Sequence, residues 1–513
     1  MTKYFLSILT LCPVLSVLGQ EPADALRYSW YSPSGTARQQ AIGGAMTSLG
    51  GEISAAFVNP AGLGLYKTGD FVFTPGFQSL RNRSSFFDRS ETATEAVLAF
   101  GTTGIVLGGS SGRSGTRLRS GALSLAVNQT ANFRSRILYR GINSSSSYSQ
   151  KFLEEIRDDR DANSVAGNYP FGPSLAFNTY WIDTVAGGTA GNFSFQTRAP
   201  IATGLIQEND LLHKGGIAEL TLAGAANYDD KLFVGGAFGV PFLHYVKEGK
   251  FTEADVTANS DNKFDFASIS EYLVTEGAGF NIKAGLIYRP AQQWRLGIAL
   301  HSPTWFLLTD RYNASVTTHT EGYRGLLTQS STLFTNNQDA EFRYTLLTPY
   351  RVLLSASYVL REIEDVKKQK GFLTADIEYV NHRASAYHTD PDADNSQDTR
   401  EYLRALNRAI NASYKGSFNF RAGGELKFTT VMVRLGAGWM GNPYRASYGA
   451  KGSRLQLTGG LGYRHRGVFV DIAYVHTSGK DVHFPYRLAS GTHPSAQVRQ
   501  TGANILLTIG FKI

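Results

Sequence analysis

The chain ends Ile505-Leu-Leu-Thr-Ile-Gly-Phe-Lys-Ile513, which sets Ile505, Leu507, Ile509, Phe511 and Ile513 on one side and Leu506, Thr508, Gly510 and Lys512 on the other. Successive residues of a strand point to opposite faces, so this period of two predicts a strand with one apolar face. The pattern recurs upstream at 468–477, 455–463, 431–439, 418–428, 373–381, 352–361, 294–302, 280–289, 232–245 and 217–228. Three less regular segments precede these, at 120 to about 139, about 95 to 109, and 70 to about 80. The total is fourteen, an even number, as a closed bacterial barrel requires.

A soluble sandwich also alternates, but it turns its polar side outward. Here Val468, Val470, Ile472 and Tyr474 oppose Asp471 and Ala473, while Phe418, Phe420, Ala422, Leu426 and Phe428 oppose Asn419, Arg421, Glu425 and Lys427. The consistent apolar side faces lipid, and the charged side faces a lumen. The links also sort by length: 228–231, 289–293, 429–430 and 465–467 are short, with 109–119 and 362–371 somewhat longer. The alternate links 140–216, 246–277, 303–344, 382–417 and 478–501 are long. Short periplasmic turns and long outer loops are the asymmetry of an outer-membrane barrel. The fold expected is therefore all-β: a transmembrane antiparallel β-barrel of fourteen strands over 70–513, in the outer membrane of a Gram-negative cell, with both termini periplasmic. The terminal strand Ile505 to Ile513 would be the segment read by the barrel-assembly machinery.

Residues 1–19 read as a secretory signal peptide, with Lys3 ahead of an apolar core from Phe5 to Leu18 and a small-residue cleavage site at Val17-Leu-Gly19. The only cysteine, Cys12, lies inside it, and Leu11 before it does not fit a lipoprotein signal. The mature chain thus has no disulfide and no thiolate metal ligand. Past this leader no apolar run reaches the roughly 18 residues of a membrane-spanning helix.

Fourteen strands enclose a lumen too wide for strand side chains to fill. Residues 20–69 are available as a plug, and they contain Ala55-Ala-Phe-Val-Asn-Pro-Ala-Gly-Leu-Gly-Leu-Tyr66, an apolar, Gly- and Pro-rich stretch that fits neither helix nor strand. Irregular backbone is tolerated at membrane depth only where protein or a water-filled cavity surrounds it, as inside a barrel.

The segment Ala55 to Leu63 resembles the Asn-Pro-Ala-Gly hatch motif of the FadL-type long-chain fatty-acid transporters. Further matches follow in order: Gly279-Phe-Asn-Ile-Lys-Ala-Gly-Leu-Ile-Tyr288 with Trp294-Arg-Leu-Gly297, Ala375-Asp-Ile-Glu-Tyr379, Phe420-Arg-Ala-Gly423 with Arg434-Leu-Gly-Ala-Gly438, and Asn442-Pro-Tyr444. The resemblance implies fourteen strands, an N-terminal hatch and passive uptake of hydrophobic molecules. It implies capture at the outer loops, an internal pocket gated by Phe57, Asn59, Pro60, Ala61, Gly62 and Leu63, and lateral exit at a kink in the third strand. That strand has a matching irregularity: the alternation Leu123, Leu125, Val127 fails at Asn128-Gln129-Thr130, a polar break where a lipid-facing strand should be apolar. A strand already above the bilayer would read the same way.

Glu219, Lys283, Arg295, Asp376, Glu378, Arg421, Glu425, Lys427, Arg434 and Asp471 point inward. Lys283, Arg295, Arg421, Glu425 and Arg434 are candidates either for a ligand carboxylate or for ion pairs within the lumen, with Glu425 beside Arg421 and Lys427. The helical stripe Tyr402, Leu406, Ala409 and Ile410, flanked by Arg400, Arg404 and Arg408, predicts an outer-loop helix that lines a vestibule or packs on a loop.

Catalysis is not expected, because His301 and Ser302 are adjacent on a strand and point to opposite faces. No cofactor and no metal site is expected. The net charge of +8 is scattered, without a basic helix or stacking platform, so nucleic acid is excluded. The partners expected are a fatty acid-like ligand and outer-membrane lipid, for a monomer. Two other readings stand beside transport: a non-transporting barrel that serves as scaffold or shuttle in secretion, and a haem-binding uptake barrel using histidines such as His301 or His244.

Overall fold

The structure is a computed structural model and describes residues 21–30, 34–110, 116–189, 191–257, 259–360, 370–446, 452–489 and 493–513. The signal peptide of 1–19, residue 361 and most of the 362–371 link lie outside these residues.

Fourteen antiparallel strands close on themselves. They are β1 (Asp70–Phe73, Pro75–Phe86), β2 (Arg89–Phe100, Thr103–Ser110), β3 (Leu118–Asn132, Ser135–Asn143), β4 (Leu205–Tyr228), β5 (Leu232–Asp255), β6 (Phe266–Tyr288) and β7 (Trp294–His301, Trp305–His319). There follow β8 (Ala340–Leu347, Arg351–Leu360), β9 (Gly371–Asn381, Ala386–Thr389), β10 (Gly416–Phe428), β11 (Val431–Met440), β12 (Arg454–His465), β13 (Val468–His483) and β14 (Ala496–Lys512). Each strand pairs with its chain neighbours, and β14 returns to β1 from Asp70↔Lys512 to Ser85↔Gln497. The sheet is thereby closed, the condition for strands in lipid, apart from one gap between β2 and β3 described below.

The outward residues are large and apolar and are left bare, as at Leu98 (82% exposed) and Leu435 (69%). Phe71, Tyr228, Tyr288, Trp294, Phe428, Tyr463 and Phe511 ring the short-turn end as an aromatic girdle. Among the described residues no helix is long and apolar enough to cross a membrane.

The strands run further into the long-loop end than the alternation indicates. β5 and β6 stay paired to Ala254↔Phe266, so little of 246–277 is a loop. β7 continues to His319 and β8 begins at Ala340, β4 begins at Leu205, β13 extends to His483 and β14 begins at Ala496. A turn at Phe87-Asp88 joins β1 to β2. Above the bilayer both faces of a strand can be polar, as in Lys247-Glu248-Gly249-Lys250, so hydropathy ceases to alternate while the hydrogen-bond ladder continues.

Inside the barrel runs the N-terminal segment, as α1 (Pro22–Ser29), α2 (Ala37–Ala41), α3 (Ala55–Val58) and a 3₁₀ turn (Pro60–Leu65). The stretch from Ala55 to Tyr66, read as neither helix nor strand, thus forms short helical turns. The Asn59 side chain accepts from Ala61 N at 3.1 Å and caps the turn, with Pro60 at its first position. Residues 39–50 and 52–64 are buried without exception. The long connections fold over the other end: α4 (Ser149–Glu155), α5 (Ala162–Gly167) and α6 (Pro173–Asn178) within 144–204, and α7 (Gln397–Ser413) within 390–415.

The inner wall receives this segment on glycines. A Cβ at Gly235 would overlap Pro60, at Gly285 the Asn59 side chain, at Gly297 Thr47, and at Gly423 or Gly436 the backbone of Ile42. We expect Gly436→Val to cost about 1–3 kcal/mol by overpacking. It should also expose residues 39–64 to protease in the folded barrel, whereas Gly109→Ala, which meets open space, should stay within about 0.5 kcal/mol. Heat-modifiable gel migration with limited proteolysis checks both.

Candidate functional site

The inward charges are joined across strands. Arg421 and Glu425 share a face of β10, but four residues of strand separate them by roughly 13 Å. Glu425 instead lies opposite Arg434 of β11 and accepts from its Nε at 2.6 Å. Arg434 Nη1 reaches Asp471 of β13 at 2.5 Å, passing over β12 where residue 462 is glycine. A Cβ there would stand 2.7 Å from Arg434 Nη2. Arg38 completes the chain, with Nε 3.3 Å from Glu425. Arg421 pairs with Glu378, which also receives Arg351 at 3.3 Å; Arg351 donates to His301 Nδ1 at 2.8 Å, and His301 Nε2 donates to Val58 O at 2.7 Å. Lys283 pairs with Glu219, and Arg295 donates to Leu49 O at 2.8 Å. All five candidates for a ligand carboxylate are therefore engaged in the wall or with the N-terminal segment.

The segment 34–66 carries only two charges, Arg38 and Glu52. A single cation in a buried stretch requires a carboxylate partner, and that was the available sign of Arg38. Asn59 Nδ2 donates to Thr47 O at 2.6 Å and to Leu286 O and Ile298 O of β6 and β7 at 3.3 Å each. Asp376 of β9 accepts from Met46 N at 3.0 Å, Thr47 N at 3.1 Å and Thr47 Oγ1 at 2.6 Å. Phe57 and Leu63 pack with Val106 and Ala122, Ala61 with Phe233 and Ile287, and Gly62 lies against Gly50.

The wall opens at one place. Below it β2 pairs with β3 from Thr103↔Val127 to Ser110↔Ser120. The register of β3 against β4 then shifts between Gln129 and Ala131, and the strand stops at Asn132 before resuming at Ser135. The upper half of β2 pairs with β1 and has no ladder to β3. The upper arm of β3 passes inside it: Asn82 of β1 donates to Ser135 Oγ and Arg136 O at 2.8 Å, and Phe86 lies 4.6 Å from Tyr139 between ring centroids. Asn128 points inward to Ser34 at 2.9 Å, Thr130 donates to Ile217 O at 3.4 Å, and Gln129 borders the gap, accepting from Phe100 N at 3.4 Å. Arg134 and Glu95 bridge the gap at 2.8 Å.

A pocket of about 410 Å³ fills this opening, between Val97, Gln129, Arg134, Gly216, Phe242 and His244. Behind it lies a lumen cavity of about 760 Å³, and the two share Asn132 and Arg134 as lining. Tyr28 of α1, Phe133 and Tyr245 form an aromatic cluster at the junction, with centroids 5.5–5.8 Å apart. The cavity is apolar along Leu26, Phe133, Leu211, Phe251 and Ile269, and charged where Arg27, Lys151, Lys247 and Lys250 stand among Glu21, Asp24 and Glu271, with Arg27 paired to Asp24, Lys151 to Glu155 and Lys247 to Glu271. Tyr148, then Glu155 and Glu271, hold the Lys151 ammonium above its ordinary range against its burial, so it is charged at neutral pH. These cations escaped the sequence reading because they fall in α1, in an outer-loop helix and in the polar extension of β5.

His213 and His483 also line the cavity, bonded to Tyr245 at 2.7 Å and Tyr139 at 3.0 Å, while His244 is at the wall pocket and His301 is engaged by Arg351 and Val58. Ser302 Oγ donates to Pro303 O at 2.7 Å and accepts from Ile282 N at 2.9 Å, apart from His301. Among the described residues no cluster of three potential metal ligands occurs. α7 buries Leu403, Leu406 and Ile410 and exposes Arg400, Arg404 and Arg408. Its apolar stripe packs on 386–389 and α1 and lines no part of the cavity.

No family model and no curated sequence matches the chain. Among solved structures, it is similar to a Pseudomonas aeruginosa FadL homologue, with TM-score 0.54 at 13% identity over 94% of this chain and 99% of that one. It is also similar to the P. putida toluene transporter TodX, with TM-score 0.53 at 11% identity over 94% and 99%. The likeness is one of fold: a fourteen-stranded barrel of this architecture.

The Arg38–Glu425–Arg434–Asp471 chain carries a direct prediction. Arg434→Gln leaves Asp471 buried without its cation and Glu425 with Arg38 alone, and should destabilise the barrel by about 3–5 kcal/mol. Adding Asp471→Asn should recover part of that loss, and denaturant unfolding of the single and double variants checks it.

Proposed function

We propose that this chain is an outer-membrane channel for passive uptake of long-chain fatty acids or similar hydrophobic molecules. The long-loop end faces the cell exterior and both termini face the periplasm. A ligand is captured among the outer loops, occupies the cavity of about 760 Å³ and leaves sideways between β2 and β3. The observation that carries this reading is the missing β2–β3 ladder at the very level where cavity and wall pocket share Asn132 and Arg134. An apolar molecule leaving there enters lipid without crossing the periplasmic rim. A cavity with one apolar side and, on another, Lys250 beside the ion-paired Arg27 and Lys247 suits a hydrocarbon tail with a carboxylate directed to Lys250, since an ammonium group forms charge-assisted hydrogen bonds to carboxylate. The solved barrels of similar fold, one of them a toluene transporter, support transport over scaffolding.

Residues 20–69 act as the hatch, with 34–66 as the part seated on the inner wall. Asn59, with its amide satisfied on three carbonyls and one N–H, serves as an anchor that seats the hatch on β6 and β7.

Two measurements test the reading. Cells carrying a version in which 129–134 are replaced by a continuous strand should take up labelled long-chain fatty acid at a small fraction of the wild-type rate while folded barrel persists; undiminished uptake removes lateral exit. Mass spectrometry of the detergent-extracted protein should show a bound lipid acid, whereas a Soret band on adding hemin would turn the reading toward haem. Asn59→Ala should cost about 1–3 kcal/mol and lower uptake only as far as it unseats the hatch. Abolished uptake at unchanged stability would instead make Asn59 the gate.

A further inference from the structure

The outer wall of β13, β14 and β1 carries a row of like charges. Lys480 lies directly opposite Arg499, and Arg499 directly opposite Arg83. One step lower, Arg81 stands beside Thr501 on one side and Thr94 on the other. All four cations are exposed, and their strand neighbours on this face at the same levels, Ser478, Thr501, Thr92 and Thr94, are uncharged. Arg81, Arg83, Lys480 and Arg499 make no ion pair among the described residues, whereas most other barrel cations have one. Like charges directly opposite across strands destabilise a sheet, so three in a row ask for an anion that lies outside the protein.

Their height identifies where that anion comes from. Phe71 and its partner Phe511 belong to the aromatic girdle at the short-turn end. Ten residues separate Phe71 from Arg81. At about 3.3 Å per residue and a tilt near 45°, that is roughly 23 Å along the membrane normal, close to the ~25 Å of an outer-membrane apolar band. Leu98 and Phe77, just below, are bare and apolar. The row therefore sits at the headgroup level of the leaflet on the long-loop side, turned to lipid and away from the lumen.

We propose that Arg81, Arg83, Arg499 and Lys480 form a docking site for a phosphorylated glycolipid of the outer leaflet, with guanidinium groups taking the lipid A phosphates. Arginine matches phosphate geometry by paired N–H donors, and basic clusters beside a membrane bind anionic headgroups. The assignment rests on the orientation proposed above, in which the long-loop end is outermost.

The test uses the full-length protein with Arg83→Gln, Arg499→Gln and Lys480→Gln together, compared with wild type and with a control bearing Arg400→Gln and Arg404→Gln on α7. In native mass spectrometry after exchange into lipid A and phosphatidylethanolamine, wild type and control should retain lipid A, and the triple variant should lose at least about ten-fold of that retention. Thermal unfolding should show a crossing. In lipid-free detergent the triple variant unfolds no lower than wild type because repulsion is relieved; with lipid A, wild type gains stability and the variant does not. Equal retention by the triple variant overturns the proposal. So does equal binding of phosphatidylglycerol, which would make this a general anionic surface, or a wild-type shift produced by inorganic phosphate alone. Fatty-acid uptake is measured separately, so failure of the transport reading would leave these outcomes standing.

Discussion

Backbone N–H and C=O groups within the apolar band need partners inside the protein, and fourteen strands closing from β14 onto β1 supply them along every junction but the upper β2–β3 one. The remaining features follow from closure. The outward residues are left to lipid, so the barrel gains nothing from burying them. The inward ones surround a space that fourteen strands cannot fill themselves. The protein has to pack that space with something other than strand.

It does so by bringing backbone against backbone. Glycines at 235, 285, 297, 423 and 436 leave the inner wall bare where residues 42–60 approach, and the segment that docks there is built of small residues. What glycine removes in side-chain contact is made up by directed polar contacts. Asp376 accepts from two backbone N–H groups of the N-terminal segment, Asn59 donates to wall carbonyls, and Arg38 enters the ion-pair chain running through Glu425 and Arg434 to Asp471. Burying such charges is costly unless each is paired with good geometry. Their value here lies in register: an N-terminal segment displaced by one position would leave several of them unsatisfied at once.

The ladder fails at one junction, where β3 turns inward past Phe133 and β2 continues alone with β1. The upper β3 arm keeps the ladder to β4 that its lower part has, and on its other side it meets the Asn82 side chain of β1. Tyr28 of the N-terminal helix packs against Phe133 and Tyr245 at the inner side of the same gap. The N-terminal helix, the cavity and the wall opening thus meet in one aromatic contact.

The strand count and the lipid-facing side of each strand were legible in the sequence, because a period of two is a local property, whereas β3 runs on past Asn128 and Thr130, which face inward, to Asn132. The Asn-Pro turn was also legible as a place where regular structure ends, although its short helical turns were not. The pairing of charges was hidden. Glu425 sits near Arg421 and Lys427 in the chain, yet a strand holds same-face residues about 6.6 Å apart per step, and register delivers Arg434 and Arg38 to it instead. The cavity was hidden for the same reason: Arg27, Lys151 and Lys250 come from three distant segments, and Lys250 lies where both strand faces are polar and hydropathy carries no period. Sequence alone determined which way each spanning residue points, since that depends on a neighbour one position away. Only the tertiary structure decided what each inward residue meets, since that depends on how strands far apart in the chain align around a closed wall.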